Sequence, residues 1–78
     1  MLGELVAHIA RGLVERPEAV SVTERQEDSG IIAVELTVAR EDLGKVIGKQ
    51  GRTAYAMRTL LATLASRSHR QAVLRIVD

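Results

Sequence analysis

No cysteine occurs among the 78 residues, which excludes a disulfide framework and thiolate metal sites and is compatible with a reducing compartment. Aromatic residues are almost absent. Tyr55 is the only one, so the stacked aromatic platforms of RRM and OB-type nucleic-acid binders are ruled out. There is no long uncharged hydrophobic run either, because Glu4, His8 and Arg11 interrupt the apolar first fifteen residues. Neither a signal peptide nor a membrane span is expected, and the cytoplasm is the expected location. Pro17 is the single proline. A chain of this length is read as one domain spanning 1–78, at a size where a single core is only marginally sufficient.

Charge is present but unevenly spread. The net value is only +1, which by itself points to no partner. Residues 1–39 hold three arginines against seven acids, a balance of −4. Residues 40–70 hold Arg40, Lys45, Lys49, Arg52, Arg58, Arg67 and Arg70 against Glu41 and Asp42, a balance of +5. The cations are expected to concentrate around one loop, as an electrostatic footprint for an anionic partner. The plainer reading is a solvated helix face.

That loop is Gly48-Lys49-Gln50-Gly51. It separates a short helical run, Arg40 to Ile47, from a longer one, Arg52 to Ser66. So tight a turn between helices needs backbone freedom at both hinges, which glycine supplies. Gly51 also opens a helix whose first N–H groups lack intrahelical partners and carry the positive end of the dipole. With Lys45, Lys49 and Arg52 around it, the loop suits a phosphodiester.

The rest of the chain frames it. Leu2, Leu5, Val6, Ile9, Leu13 and Val14 recur at helical spacing, and Pro17 is expected to end that helix. Gly12 is a mild cost there and a candidate point of close backbone approach. Val20 and Val22 begin a strand, and Asp28-Ser29-Gly30 closes the polar stretch 24–30 as a turn of more than two residues. In Ile31–Val38 the even positions are apolar, the clearest strand in the sequence. Glu41 and Asp42 sit in the first turn of the short helix, with Leu43, Val46 and Ile47 facing inward. Ala54, Met57, Leu61, Leu64 and Ala65, flanked by Leu60, make a second stripe, and Ala72–Val77 reads as a final strand. A right-handed crossover then places that strand parallel to Ile31–Val38. The fold class is α+β, in the order α-β-β-α-α-β. A three-stranded mixed sheet carries three helices packed on one face.

Within this order, Val46-Ile47-Gly48-Lys49-Gln50-Gly51-Arg52 resembles the V-I-G-x-x-G loop of the KH domain, and the element order is similar to its type II form. The run Glu41 to Thr53 with Arg58-Thr59-Leu60-Leu61 resembles the small bacterial single-KH proteins of the KhpA (YlqC) family. Tyr55 departs from the basic side chain expected there. The resemblance implies a clamp on about four nucleotides of single-stranded RNA. Gly48 and Gly51 would admit backbone N–H groups to phosphate, Lys49 would supply charge and Gln50 would meet a sugar or base. Lys45 and Arg52 would steer the strand. Val46 and Ile47 read as core first and as groove floor second, and Tyr55 as an ordinary tyrosine first and a stacking partner second. The resemblance further implies a homodimer or a pairing with a larger KH-containing protein of the KhpB/Jag type. It also implies an RNA-chaperone or regulatory role linked to cell division and envelope growth.

Other classes fit less well. A P-loop needs glycine at Leu43 and Ser or Thr at Gln50. A dinucleotide fingerprint should follow a strand rather than a helix. His8 and His69 lie in different elements without carboxylates at ligand spacing, so no metal, cofactor or enzymatic centre is expected. A helix-turn-helix DNA binder shares the short Gly-containing turn but not the strong strand before it. A KH-shaped interaction module without RNA binding would have no need for Lys49 and Arg52.

Overall fold

The computed structural model describes residues 1–77. Six main elements follow in the expected order: α1 (Leu2–Leu13), β1 (Ser21–Gln26), β2 (Ile32–Thr37), α2 (Leu43–Ile47), α3 (Arg52–Ser66) and β3 (Ala72–Val77). Single 3-10 turns at Pro17–Ala19, Arg40–Asp42 and Lys49–Gly51 join them. The sheet runs β1-β2-β3, with β1 antiparallel and β3 parallel to the central β2. The fold is therefore α+β, with a mixed sheet and all three helices on one side.

Alternation in β2 decides which side. Val34 and Leu36 are fully buried under the helices, and Val38 continues their row. Against them pack Val6 and Ala10 of α1, Met57 and Leu61 of α3, Val46 of α2 and Leu74 of β3. Ala33 points to the other face yet is also fully buried. It is small, and the register sets it between the longer side chains of Arg25 and Val73.

Several expected boundaries move. The first helix ends at Leu13, with Val14 already extended at φ −94° and ψ 163°. Pro17 instead opens the following 3-10 turn, a position where its missing N–H costs nothing. The first strand reaches Gln26, beyond the expected start of the polar stretch at Glu24, because cross-strand pairing to β2 continues. Arg25 Nη2 meets Glu35 Oε2 there at 3.0 Å. The short helix begins as a 3-10 turn, leaving α2 only five residues long.

Close backbone approach occurs at Gly3 rather than Gly12. A Cβ on Gly3 would lie 3.0 Å from Val22 Cγ1, whereas one on Gly12 would meet nothing within 4 Å. The Gly3 N–H donates to Glu24 Oε1 at 2.8 Å, so a strand carboxylate occupies the first turn of α1.

Candidate nucleic-acid interface

Gly48 ends α2 at φ 80° and ψ 169°, and its N–H still donates to Gly44 O at 2.9 Å. One turn follows, closed by the Gly51 N–H to Gly48 O at 3.0 Å. Gly51 itself is left-handed, at φ 75° and ψ 12°. Both expected hinges are thus real, for different reasons. A Cβ on Gly48 would collide with the Thr53 side chain and lie 2.8 Å from the Thr53 backbone nitrogen, whereas at Gly51 the surrounding space is open. A third hinge went unread in the sequence: Gln50 adopts φ 58° and ψ 26°. Nothing in the residue type signals it, since glutamine has no special preference for that region. Its Oε1 accepts a bond from Arg52 Nη2 at 3.0 Å.

Among the described residues no side chain caps the first turn of α3. Its leading N–H groups therefore open beside the loop with the positive end of a fifteen-residue helix behind them. Lys49 and Arg52 flank them, both exposed and in no ion pair among the described residues.

The other predicted site residues divide. Ile47 is 37% exposed beside the loop, contrary to its expected inward orientation, while Val46 is fully buried. Ile47 leaves apolar surface open beside the loop, whereas the Val46 side chain is packed in the core. Tyr55 is 72% exposed, a surface residue about one turn into α3. Lys45 is half-committed, its Nζ lying 3.6 Å from Asp42 Oδ1.

Asp42 sits with Glu41 in the first turn, as expected, but its side chain turns away from α2. It is buried and accepts the Glu15 N–H at 3.1 Å and the Arg16 N–H at 3.0 Å. The carboxylate thereby ties the exit of α1 to the start of α2. Burial acts against its charge, but the two N–H donors and Lys45 outweigh it and hold its pKa below the usual aspartate value. Neighbouring Glu41 meets Arg16 Nη1 at 3.1 Å, which latches the same junction from outside.

The cation cluster also needs correction. Arg67 and Arg70 follow α3 at its far end, roughly 22 Å from the loop at 1.5 Å per residue. There Arg70 Nη2 donates to Gly30 O at 3.2 Å, a structural tie to the hairpin turn. A cleft of about 430 Å³, lined in part by Leu2, Leu5, Leu64 and Arg70, lies at that same far end. None of the predicted site residues lines it. What remains beside the loop is Lys45, Lys49 and Arg52, with Arg58 farther along α3 and Arg40 in the 3-10 turn before α2. No carboxylate occurs in the sequence between Asp42 and Asp78 to offset them.

Beside α3 lies an open strand edge. β2 and β3 are parallel, with Thr37 opposite Val77, so the C-terminal end of β3 lies at the sheet end from which the chain enters α2. A short connection joins the end of α3 to the start of β3, so the first turns of α3 lie toward the C-terminal half of that strand, and midway Arg58 Nε donates to Leu74 O at 3.4 Å. The loop therefore heads a shelf walled by the first turns of α3 and the free edge of β3.

A family model described as "KhpA/KhpB, KH domain" matches residues 3–76. A Treponema pallidum protein named RNA-binding protein KhpA is 51% identical over 75 residues, covering 96% of this chain and 92% of that protein. A protein of the same name from Caldanaerobacter subterraneus is 49% identical over 76 residues, covering 97% and 100%. Among solved structures, Aquifex aeolicus Era bound to GDP and aluminium fluoride superposes with a TM-score of 0.60 at 24% identity, over 96% of this chain and 29% of Era. Era in complex with MgGDPNP and a segment of 16S ribosomal RNA gives 0.61 at 24% identity, over 96% and 28%. At that identity the likeness is one of fold.

Proposed function

Because the chain belongs to the KhpA/KhpB family of KH domains, we propose that it acts as one KH unit over residues 1–78 that binds single-stranded RNA. The observation that carries this reading is the loop. Left-handed backbone at Gln50 and Gly51 leads into the start of α3, and two cations in no ion pair among the described residues, Lys49 and Arg52, stand at its sides. Such an arrangement favours a phosphate by dipole, by N–H donors and by net charge together. Gly48 and Gly51 keep side chains out of the way of the sugar-phosphate backbone. Ile47 and Tyr55 offer exposed apolar surface to bases beside it.

Nothing in this arrangement calls for catalysis, and the protein acts by binding. One module that grips about four nucleotides holds RNA weakly. A second site raises effective concentration without any new contact, so the working unit is a homodimer or a pair with a larger KH-containing protein of the KhpB/Jag type. The names of its relatives support an RNA partner. A cytoplasmic RNA chaperone or post-transcriptional regulator, linked to cell division and envelope growth, is the role this reading assigns.

Fluorescence anisotropy with labelled single-stranded RNA tests it. The double substitution Lys49→Asp with Gln50→Asp places two negative charges where phosphate would sit and should weaken binding at least about tenfold. Unchanged binding in a folded double variant would favour an interaction module. A preference for short duplex over an equal-length single strand would contradict the clamp.

A further inference from the structure

The Ile32 N–H donates to Gln71 O at 2.9 Å, and the parallel register pairs Ile32 with Ala72 and Val34 with Leu74. In such a ladder alternate residues turn their main-chain groups toward the partner strand. Val73, Arg75 and Val77 therefore face β2, while Ala72, Leu74 and Ile76 direct N–H and C=O away from it. Because β3 is an edge strand, those groups border the shelf beside the loop.

Arg58 spans that shelf. Its Nε donates to Leu74 O at a long 3.4 Å, and it takes part in no ion pair among the described residues. Arg16, Arg25 and Arg75 are by contrast held by carboxylates, and Arg70 reaches the Gly30 carbonyl. The bond to Leu74 aims the Arg58 guanidinium, and among the described residues neither of its Nη groups has a partner. Tyr55, three residues earlier, shares that side of α3. Seven residues separate Arg58 from Gly51, about 10 Å of helix rise, so it stands along the path of a strand gripped at the loop rather than at the grip itself.

We infer that Arg58 is a specificity-determining residue, which selects an RNA base presenting two adjacent acceptors, namely guanine or cytosine. The inference rests on the RNA-binding reading above. A guanidinium has five donors and no acceptor. Guanine offers N7 and O6 side by side, cytosine N3 and O2, and both edges are open in a single strand. Adenine sets a donor beside its N7 acceptor, and uracil sets N3–H between its two carbonyls. Either arrangement leaves one Nη group facing another donor. The N–H groups of Leu74 and Ile76 and the Ile76 C=O, on the side of β3 turned away from β2, remain to satisfy the rest of the base edge.

The test is anisotropy with adenine hexamers carrying one central cytosine, guanine or uracil, against the all-adenine hexamer. The wild type should prefer the cytosine or guanine hexamer by roughly tenfold. Arg58→Gln should bring all four near parity with the logarithmic salt slope unchanged. Arg58→Lys keeps the charge but loses the planar fork, and should bind the all-adenine hexamer as the wild type does without the preference. Circular dichroism confirms that each variant is folded. A purely structural strap would lower stability and leave the preference intact, which overturns the inference. So would equal wild-type binding of every hexamer, or a salt slope reduced by about 0.7 in Arg58→Gln, the mark of a phosphate contact. Absence of all RNA binding in the folded wild type removes the underlying reading, and the inference with it.

Discussion

Gly48 and Gly51 bound the same loop, yet they should not respond alike to substitution. Gly51→Ala meets open space and should cost only the left-handed backbone penalty, about 1 kcal/mol. Gly48→Ala adds a collision with Thr53 to a backbone region that is almost exclusive to glycine. It should cost more than about 2 kcal/mol. Urea denaturation of the two variants checks the order, and equal losses would show that Thr53 moves aside. The glycines were legible in the sequence because their spacing announces a turn. The Gln50 conformation and the Asp42 contacts were not, since each depends on what the folded chain brings near.

Asp42 also makes a prediction about pH. Its pKa is depressed in the folded protein, so its contribution is complete above the unfolded pKa and is lost as pH falls through the folded one. Stability should decline on the acid side, and Asp42→Asn should flatten that decline while lowering stability at neutral pH. Thermal melts between neutral and strongly acidic pH would measure both. An acid limb identical in wild type and variant would assign the dependence to other carboxylates.

At the scale of elements, helix α3 and strand β3 fall within the bounds that period and composition indicate, Arg52–Ser66 and Ala72–Val77. Each is long enough for its hydrophobic pattern to repeat. The ends of α1 and β1 were harder to read, because tertiary partners set them. Glu24 is the clearest case. In sequence it begins a polar stretch, whereas in the fold its carboxylate receives the Gly3 N–H at 2.8 Å and the terminal ammonium at 3.2 Å. Glu24→Ala should therefore cost about 1 kcal/mol, as loss of a helix cap does. Hydrogen exchange should show the loss as faster opening of the first turn of α1. Unaltered exchange there would mean that the carboxylate is not the anchor.

Charge is legible only at the scale of the whole molecule. Counting along the sequence groups seven cations between Arg40 and Arg70, but α3 carries Arg67 and Arg70 to the opposite end from the loop. Lys45, Lys49 and Arg52 remain near the proposed phosphate path. Two or three phosphate contacts predict that log affinity falls with log salt at a slope of roughly −1.5 to −2 for single strands. A steeper slope would bring the distant arginines into the contact.

The most direct test of the RNA clamp is an NMR titration of the labelled protein with a mixed-sequence single-stranded RNA pool, at low and at moderate salt. The account predicts shifts concentrated between Lys45 and Tyr55, extending to Arg58 and Leu74, that weaken as salt is raised. A folded protein at high concentration that shows no shift at Gly48-Lys49-Gln50-Gly51 would contradict it.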